Sequence, residues 1–212
     1  MTYGSLRSAG IFLFVLMTLS AFASVNAQAS PLVNMVKQKY GNMTAASAKF
    51  SLDIFWSVRE KTESMKGTIA FAPDGKFRIE LPSAIYVSDG KKLWQYNRSA
   101  KQVIIERADA IDRNSFPSAI IAGCFAYSFS EKAQSDGISE LVADMTEKNS
   151  TYSGISIFVD SKTATLKKIV TTDRSGNTST YLLKSFAVGS KAKLPSFTFE
   201  IPKGTDVIDK TE

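Results

Sequence analysis

From Ala48 to Val58 the apolar side chains fall on every second residue. Ala48, Phe50, Leu52, Ile54, Trp56 and Val58 alternate with polar positions such as Lys49, Ser51, Asp53 and Ser57, and only Phe55 breaks the pattern. A period of two sends neighbouring side chains to opposite sides of an extended backbone, so this segment is a long strand with one face buried. Such a strand needs partners along both edges and cover on one side. Met65, Gly67, Ile69 and Phe71 repeat the alternation, Pro73-Asp74-Gly75 turns the chain, and Phe77, Ile79 and Leu81 repeat it again. Ile85 to Val87 lead into a second turn at Ser88-Asp89-Gly90, after which Leu93, Trp94 and Tyr96 resume, followed by Val103 to Ile105. Strand patterns return at 140–147, 153–159, 166–172, 179–186 and 196–201, with turn chemistry at Ser175-Gly176-Asn177. The expected fold is mainly β, with about ten to eleven strands joined by short antiparallel connections. Strands this long with one apolar face must curl into a barrel, or an incomplete one, with that face inward.

Two helical segments interrupt the series. Ser30 is a natural N-cap, Pro31 suits the first helical position, and Leu32, Val33, Val36 and Tyr40 form one apolar stripe that Gly41 ends. Between Asp109 and Ala122 the alternation lapses, and a short helix or two is expected around Phe116-Pro117 and the cluster Ala119-Ile120-Ile121. These helices are few and short for covering a large sheet. The 14 phenylalanines and both tryptophans supply much apolar surface, with strand positions prominent among them. A solid core is the ordinary reading of such residues. A groove or cavity beneath a helical lid is the other.

The N-terminus is read separately. Arg7 precedes the apolar run Ile11 to Met17, and small residues lead to Ala27-Gln28-Ala29. This is the layout of a secretory signal peptide, so residues 1–29 are expected to be removed and 30–212 to form a single domain. The cleavage region has no cysteine to carry a lipid anchor, so the secreted chain is expected to be unanchored. The lone Cys124, between Gly123 and Phe125, is expected to be a small buried residue.

The formal charge is +6, but the lysines are scattered and no run suggests a nucleic-acid arm. A weak attraction to anionic membrane surfaces is compatible with that excess. The chain has no histidine and one cysteine, which removes the Ser-His and Cys-His nucleophile pairs and any thiolate metal site. Ser190-Lys191-Ala192-Lys193 matches Ser-x-x-Lys only by chance, without companion motifs. No catalytic residue, metal or cofactor is expected. An enzyme would require a cluster of buried titratable groups, whereas the carboxylates fall at turns and on polar strand faces.

The blocks Lys76-Phe77-Arg78-Ile79-Glu80, Val87-Ser88-Asp89-Gly90-Lys91-Lys92-Leu93-Trp94-Gln95-Tyr96 and Gln102-Val103 resemble the LolA family of periplasmic lipoprotein carriers. The stretch Phe197-Thr198-Phe199-Glu200-Ile201-Pro202-Lys203-Gly204 continuing to Ile208 is similar to that family's C-terminal strand, and the segment after Phe116-Pro117 stands where the family has its lid helices. The resemblance spans nearly the whole chain after residue 29. It implies an incomplete antiparallel barrel covered by short helices, whose inner face shields lipoprotein acyl chains between the inner and outer membranes. An inner-membrane ABC exporter would load the carrier and an outer-membrane acceptor would receive the cargo. The expected product is a monomeric, non-enzymatic periplasmic chaperone of a Gram-negative bacterium. A carrier of another lipid or glycolipid is the alternative. The expected cavity wall is Phe50, Leu52, Ile54, Trp56, Ile69, Phe71, Phe77, Ile79, Trp94 and Tyr96, with Ile120 and Ile121 in the lid. One departure stands out. Ala72 precedes Pro73 where carriers of the proteobacterial type have an arginine associated with holding the lid.

Overall fold

The computed structural model describes Met1 and residues 30–110, 116–133, 136–145 and 151–212. The expected signal peptide, beyond Met1, lies outside the described residues. Helix α1 (Pro31–Tyr40) begins as its sequence requires: Ser30 accepts a hydrogen bond at its hydroxyl from the Val33 N–H at 3.1 Å, and Pro31 occupies the first turn. Its buried residues are the expected stripe Leu32, Val33, Val36 and Tyr40. Gly41 ends the helix without the left-handed turn common at this position; it keeps φ near −60° and donates to the Lys37 carbonyl.

The strands follow in order: β1 (Ala46–Trp56), β2 (Lys61–Ala72), β3 (Lys76–Glu80), β4 (Ala84–Asp89), β5 (Lys92–Asn97), β6 (Gln102–Arg107), β7 (Phe129–Ala133), β8 (Ile138–Ala143), β9 (Tyr152–Asp160), β10 (Leu166–Asp173), β11 (Thr178–Val188) and β12 (Asp206–Asp209). Among the described residues these twelve form one sheet in the order β12-β6-β5-β4-β3-β2-β1-β11-β10-β9-β8-β7. The sheet is open, with β12 and β7 as its edges. Leu93 of β5 and Leu141 of β8 stand eight strands apart in this order, yet belong to one buried cluster. One continuous core therefore lines the inner face from β5 to β8, as an incomplete barrel requires.

The hairpins carry the turn chemistry expected of them. Asp74 and Gly75 both take positive φ in the three-residue connection Pro73-Asp74-Gly75 between β2 and β3, which the Lys76 N–H closes by donating to the Pro73 carbonyl at 3.4 Å. At Ser88-Asp89-Gly90, Gly90 has φ +94°, and Asp89 Oδ1 accepts from the Lys91 and Lys92 N–H groups, each at 2.8 Å.

Three expectations need correction. Residues 196–201 are not a strand. Pro195 and Pro202 bracket them, proline cannot donate to a ladder, and the Ser196 and Thr198 carbonyls instead accept from Arg78 Nη1. The segment is a strap that crosses the outer face of the sheet and reaches β12, which pairs in parallel with β6, so the sheet is not wholly antiparallel. Val58 is 90% exposed in the turn after β1 and takes no part in the apolar face. The short helices expected around Phe116-Pro117 are found as α2 (Pro117–Gly123) and a 3-10 turn at Cys124–Ala126, while residues 111–115 lie outside the described residues. Strand β7 has no apolar alternation, and the sequence pattern gives no sign of it.

Helix α1 lies against the inner face, where the Tyr40 hydroxyl accepts a buried hydrogen bond from the Leu166 N–H at 3.0 Å. Its ring stacks on Phe125 at 4.9 Å and tilts against Phe186 at 5.6 Å. Tyr40→Phe keeps the ring and strands the Leu166 N–H, so it is expected to lower stability by about 1–3 kcal/mol in urea titration. Cys124 is buried as anticipated; its thiol points to the Ile121 carbonyl at 3.6 Å, and burial holds it protonated.

Candidate functional site

The concave face of the sheet encloses a cavity of about 620 Å³. Its floor is built by the inward positions of β1, Phe50, Leu52 and Ile54, with Met65 of β2, Ile79 of β3, Leu81 beyond it and Tyr86 of β4. Strand register sets the relief of this floor. Phe50 stands opposite Gly67, which has no side chain to compete for the space, and Leu52 stands opposite Met65. On its other edge, β1 meets β11 with Leu52 facing Tyr181 and Ile54 facing Ser179. The roof is Phe116, Pro117 and Ile120 at the start of α2.

The cavity changes character from one side to the other. Towards β1–β3 it is hydrocarbon and aromatic. Towards β10 and β11 it presents Thr171, Ser179, Tyr181 and Tyr152 and ends at the Asp173–Asn177 turn, while Gln95 enters from β5. Gln95 Nε2 is engaged with Glu106 at 2.6 Å. Burial works to raise the Asp173 pKa, but hydrogen bonds from the Asn177 side chain and the Asn177, Ser175 and Gly176 backbone outweigh it and hold the carboxyl below its ordinary value. Burial, reinforced by Tyr152, pushes the Tyr181 phenol up and keeps it neutral. The polar wall therefore offers hydroxyls and a carboxylate already committed to its turn. That arrangement suits the carbonyls and amides of an amphipathic guest. No cluster of three or more His, Cys, Asp or Glu occurs among the described residues.

Helix α2 is lightly attached. It has seven residues and no side-chain cap, and an open cleft of about 150 Å³ bordered by Phe71, Phe77, Ser118, Ala119 and Ala122 runs along its edge against the sheet. Two features hold it. Ile121 is fully buried in the main cluster, and the Phe116 ring packs on Phe77 at 5.0 Å and edge-on to Tyr86 at 5.6 Å.

Of the residues expected in the wall, Phe50, Leu52, Ile54 and Ile79 line the cavity, and Ile120 lies in its roof. Phe71 and Phe77 border the cleft along α2, whereas Ile69 and Ile121 belong to the surrounding core. Trp56 is half-buried at the end of β1 outside the cavity, and its Nε1–H has no partner among the described residues. Trp94 and Tyr96 are on the wrong face. Leu93 takes the inward direction, and the period of two then turns Trp94 and Tyr96 outward into a second cluster with Ile85, Val87, Val103 and Ile105. Phe199 of the strap covers them, its ring 5.5 Å from Tyr96. Both faces of β4–β6 carry apolar residues, so alternation alone could not say which was inside. Tyr181, Thr171 and Ser179 were missed because a mixed polar and apolar strand face reads as an ordinary edge.

A family model described as "Outer membrane lipoprotein carrier protein LolA" matches residues 41–200. A protein of Chromobacterium violaceum named outer-membrane lipoprotein carrier protein is 28% identical over 206 residues, covering 92% of this chain and 97% of its own. One of the same name from Bordetella pertussis is 29% identical over 188 residues, covering 77% of this chain and 87% of its own. Among solved structures, an uncharacterised conserved protein of Thermus thermophilus shares the fold, with a TM-score of 0.50 and 14% identity over 84% of this chain and 97% of that one.

Proposed function

Because the chain belongs to the LolA family of outer membrane lipoprotein carrier proteins, we propose that its concave cavity receives the acyl chains of lipoproteins and shields them from water. In this reading it is a non-catalytic periplasmic chaperone, loaded by an inner-membrane ABC exporter and relieved by an outer-membrane acceptor or by the outer membrane itself. The observation that carries it is the two-sided cavity. Acyl chains lie against Phe50, Leu52, Ile54 and Ile79, and the ester and amide groups at their root meet Thr171, Ser179 and Tyr181. Each methylene withdrawn from water is worth about 0.8 kcal/mol, so unshielded chains would not cross an aqueous space. Helix α2 acts as the lid, and its open cleft and missing cap suit an element that must open to load and release.

Membrane vesicles bearing the cognate exporter and a triacylated lipoprotein test this. Added protein is expected to bring the lipoprotein into the soluble fraction in an ATP-dependent manner. Lipoprotein that stays with the vesicles at excess carrier refutes the reading. The hydroxyl-rich wall also favours a second reading, a carrier of another polar lipid such as a glycolipid; mass spectrometry of co-purifying lipid separates the two.

The outward cluster supplies a contrast. Tyr96→Ala is expected to lower stability by about 2–4 kcal/mol while changing the affinity for a fluorescent acyl probe by less than about twofold. A large loss of probe binding in the folded variant would return Tyr96 to the binding surface.

A further inference from the structure

The opposite face of the same sheet carries a basic field that acyl binding does not use. Lys49 of β1 and Lys184 of β11 are direct cross-strand partners, two like charges side by side. Such a pairing is unfavourable unless something anionic comes to it. Lys168 stands opposite Leu182 on β10 with its ammonium laid over the Phe158 ring of β9 at 3.5 Å, and Lys66 extends the field to β2, facing Ser51. The strap adds Lys191 and Lys193, anchored where the Lys193 N–H donates to Ser47 Oγ at 3.1 Å. A groove of about 580 Å³ opens between strap and sheet, with Lys49, Lys191, Lys193 and Arg78 on its walls. Among the described residues of β1–β3, the outward carboxylates are engaged: Glu80 accepts from Arg78 at 2.6 Å and Asp53 from the Ser64 hydroxyl at 2.6 Å. None of Lys49, Lys66, Lys184, Lys191 and Lys193 has a carboxylate partner among the described residues.

Aliphatic side chains sit inside the field. Leu182 is 40% exposed, bounded by Lys168 across the strand and Lys184 two residues on, and Leu194 of the strap is 43% exposed beside Lys193. Ammonium groups around protruding leucines match a bilayer surface, where phosphates lie level with the first methylenes. Lysine is a mobile point charge without arginine's fork, which suits a diffuse anionic plane better than one defined ligand. The field spans four strands, about 15 Å at ordinary strand spacing, wider than a single extended peptide.

We propose that this outer face docks the protein on the anionic leaflet of a lipid bilayer. The cavity opens on the other side of the sheet, so docking leaves it free for exchange and adds surface residence at the membrane where a carrier exchanges cargo.

The test is co-sedimentation of the empty protein with vesicles of phosphatidylcholine alone or with about a third phosphatidylglycerol. Binding is expected only to the anionic vesicles, and to be lost in high salt. The triple variant Lys49→Gln, Lys184→Gln, Lys193→Gln changes only exposed side chains and is expected to bind at least about tenfold more weakly with its circular dichroism unchanged. A matched control, Lys37→Gln, Lys162→Gln, Lys203→Gln, removes the same charge elsewhere and should bind anionic vesicles like the parent. Equal loss in both variants would make net charge the cause and overturn the proposal. So would an absence of binding to anionic vesicles at low salt, or binding to an acidic polyglutamate peptide without binding to vesicles, which would assign the face to a protein partner.

Discussion

Ile54→Asp is expected to remove acyl-chain binding by about a hundredfold or more while leaving the fold in place. Ile54 is half-buried at the cavity wall, not deep in the core, so a carboxylate there stays hydrated in the empty protein. A hydrocarbon guest would strip that water away. Leaving a charge unpaired against methylenes costs several kcal/mol, and about 2.8 kcal/mol already amounts to a hundredfold. The cross-strand neighbour of Ile54 is Glu63, whose repulsion adds up to about 1 kcal/mol of destabilisation, small beside the loss of the guest. Titration with a fluorescent fatty acid, alongside circular dichroism, separates the two effects. A folded variant that keeps parental affinity would remove Ile54 from the binding surface.

Phe116→Ala is expected to free helix α2. The ring makes two aromatic contacts, with Phe77 and Tyr86, each worth about 0.5–1.5 kcal/mol beyond simple burial. With both gone, the N-terminal end of the helix loses its aromatic seat, while Ile121 and the Phe125 ring stacked on Tyr40 still hold its C-terminal end. The population of the open form should rise about ten- to a hundredfold, seen as faster amide exchange across 117–126 with the exchange of β1 and β11 unchanged. Dissociation of a bound acyl probe should quicken in step. Phe116→Trp, which keeps an aromatic face, should restore most of the protection. Unchanged exchange in Phe116→Ala would mean that Ile121 and Phe125 seat the segment without it.

The two faces of the sheet are not equally legible in the sequence. In β1, apart from Phe55, and in β3 polar residues fill one face, so alternation alone assigns Phe50, Leu52, Ile54 and Ile79 to the inward side. Those four line the cavity. In β5 the residues on both sides of the strand are apolar, and burial there depends on the strap that brings Phe199 over Tyr96. That strap arrives from more than a hundred residues away, and no local pattern reports it. Its own sequence misleads for a related reason, since Phe197, Phe199 and Ile201 alternate like a strand while the flanking prolines and the pull of Arg78 prevent pairing. The cavity's polar wall is hidden differently. Thr171, Ser179 and Tyr181 become one surface only once β10 and β11 are in register. The aromatic fastening of α2 likewise joins Phe116 to side chains some thirty to forty residues earlier, although Phe116-Pro117 already marks where the helix begins.

Where the acyl chains lie is the claim on which the rest depends. A photoreactive amino acid placed at Ile79 on the concave face, and separately at Trp94 on the outer face, can be irradiated with a lipoprotein whose acyl chains are radiolabelled. Labelled adducts should form at position 79 and not at position 94. Label at position 94 with none at 79 would contradict the account, because it would put the cargo on the face that the strap covers.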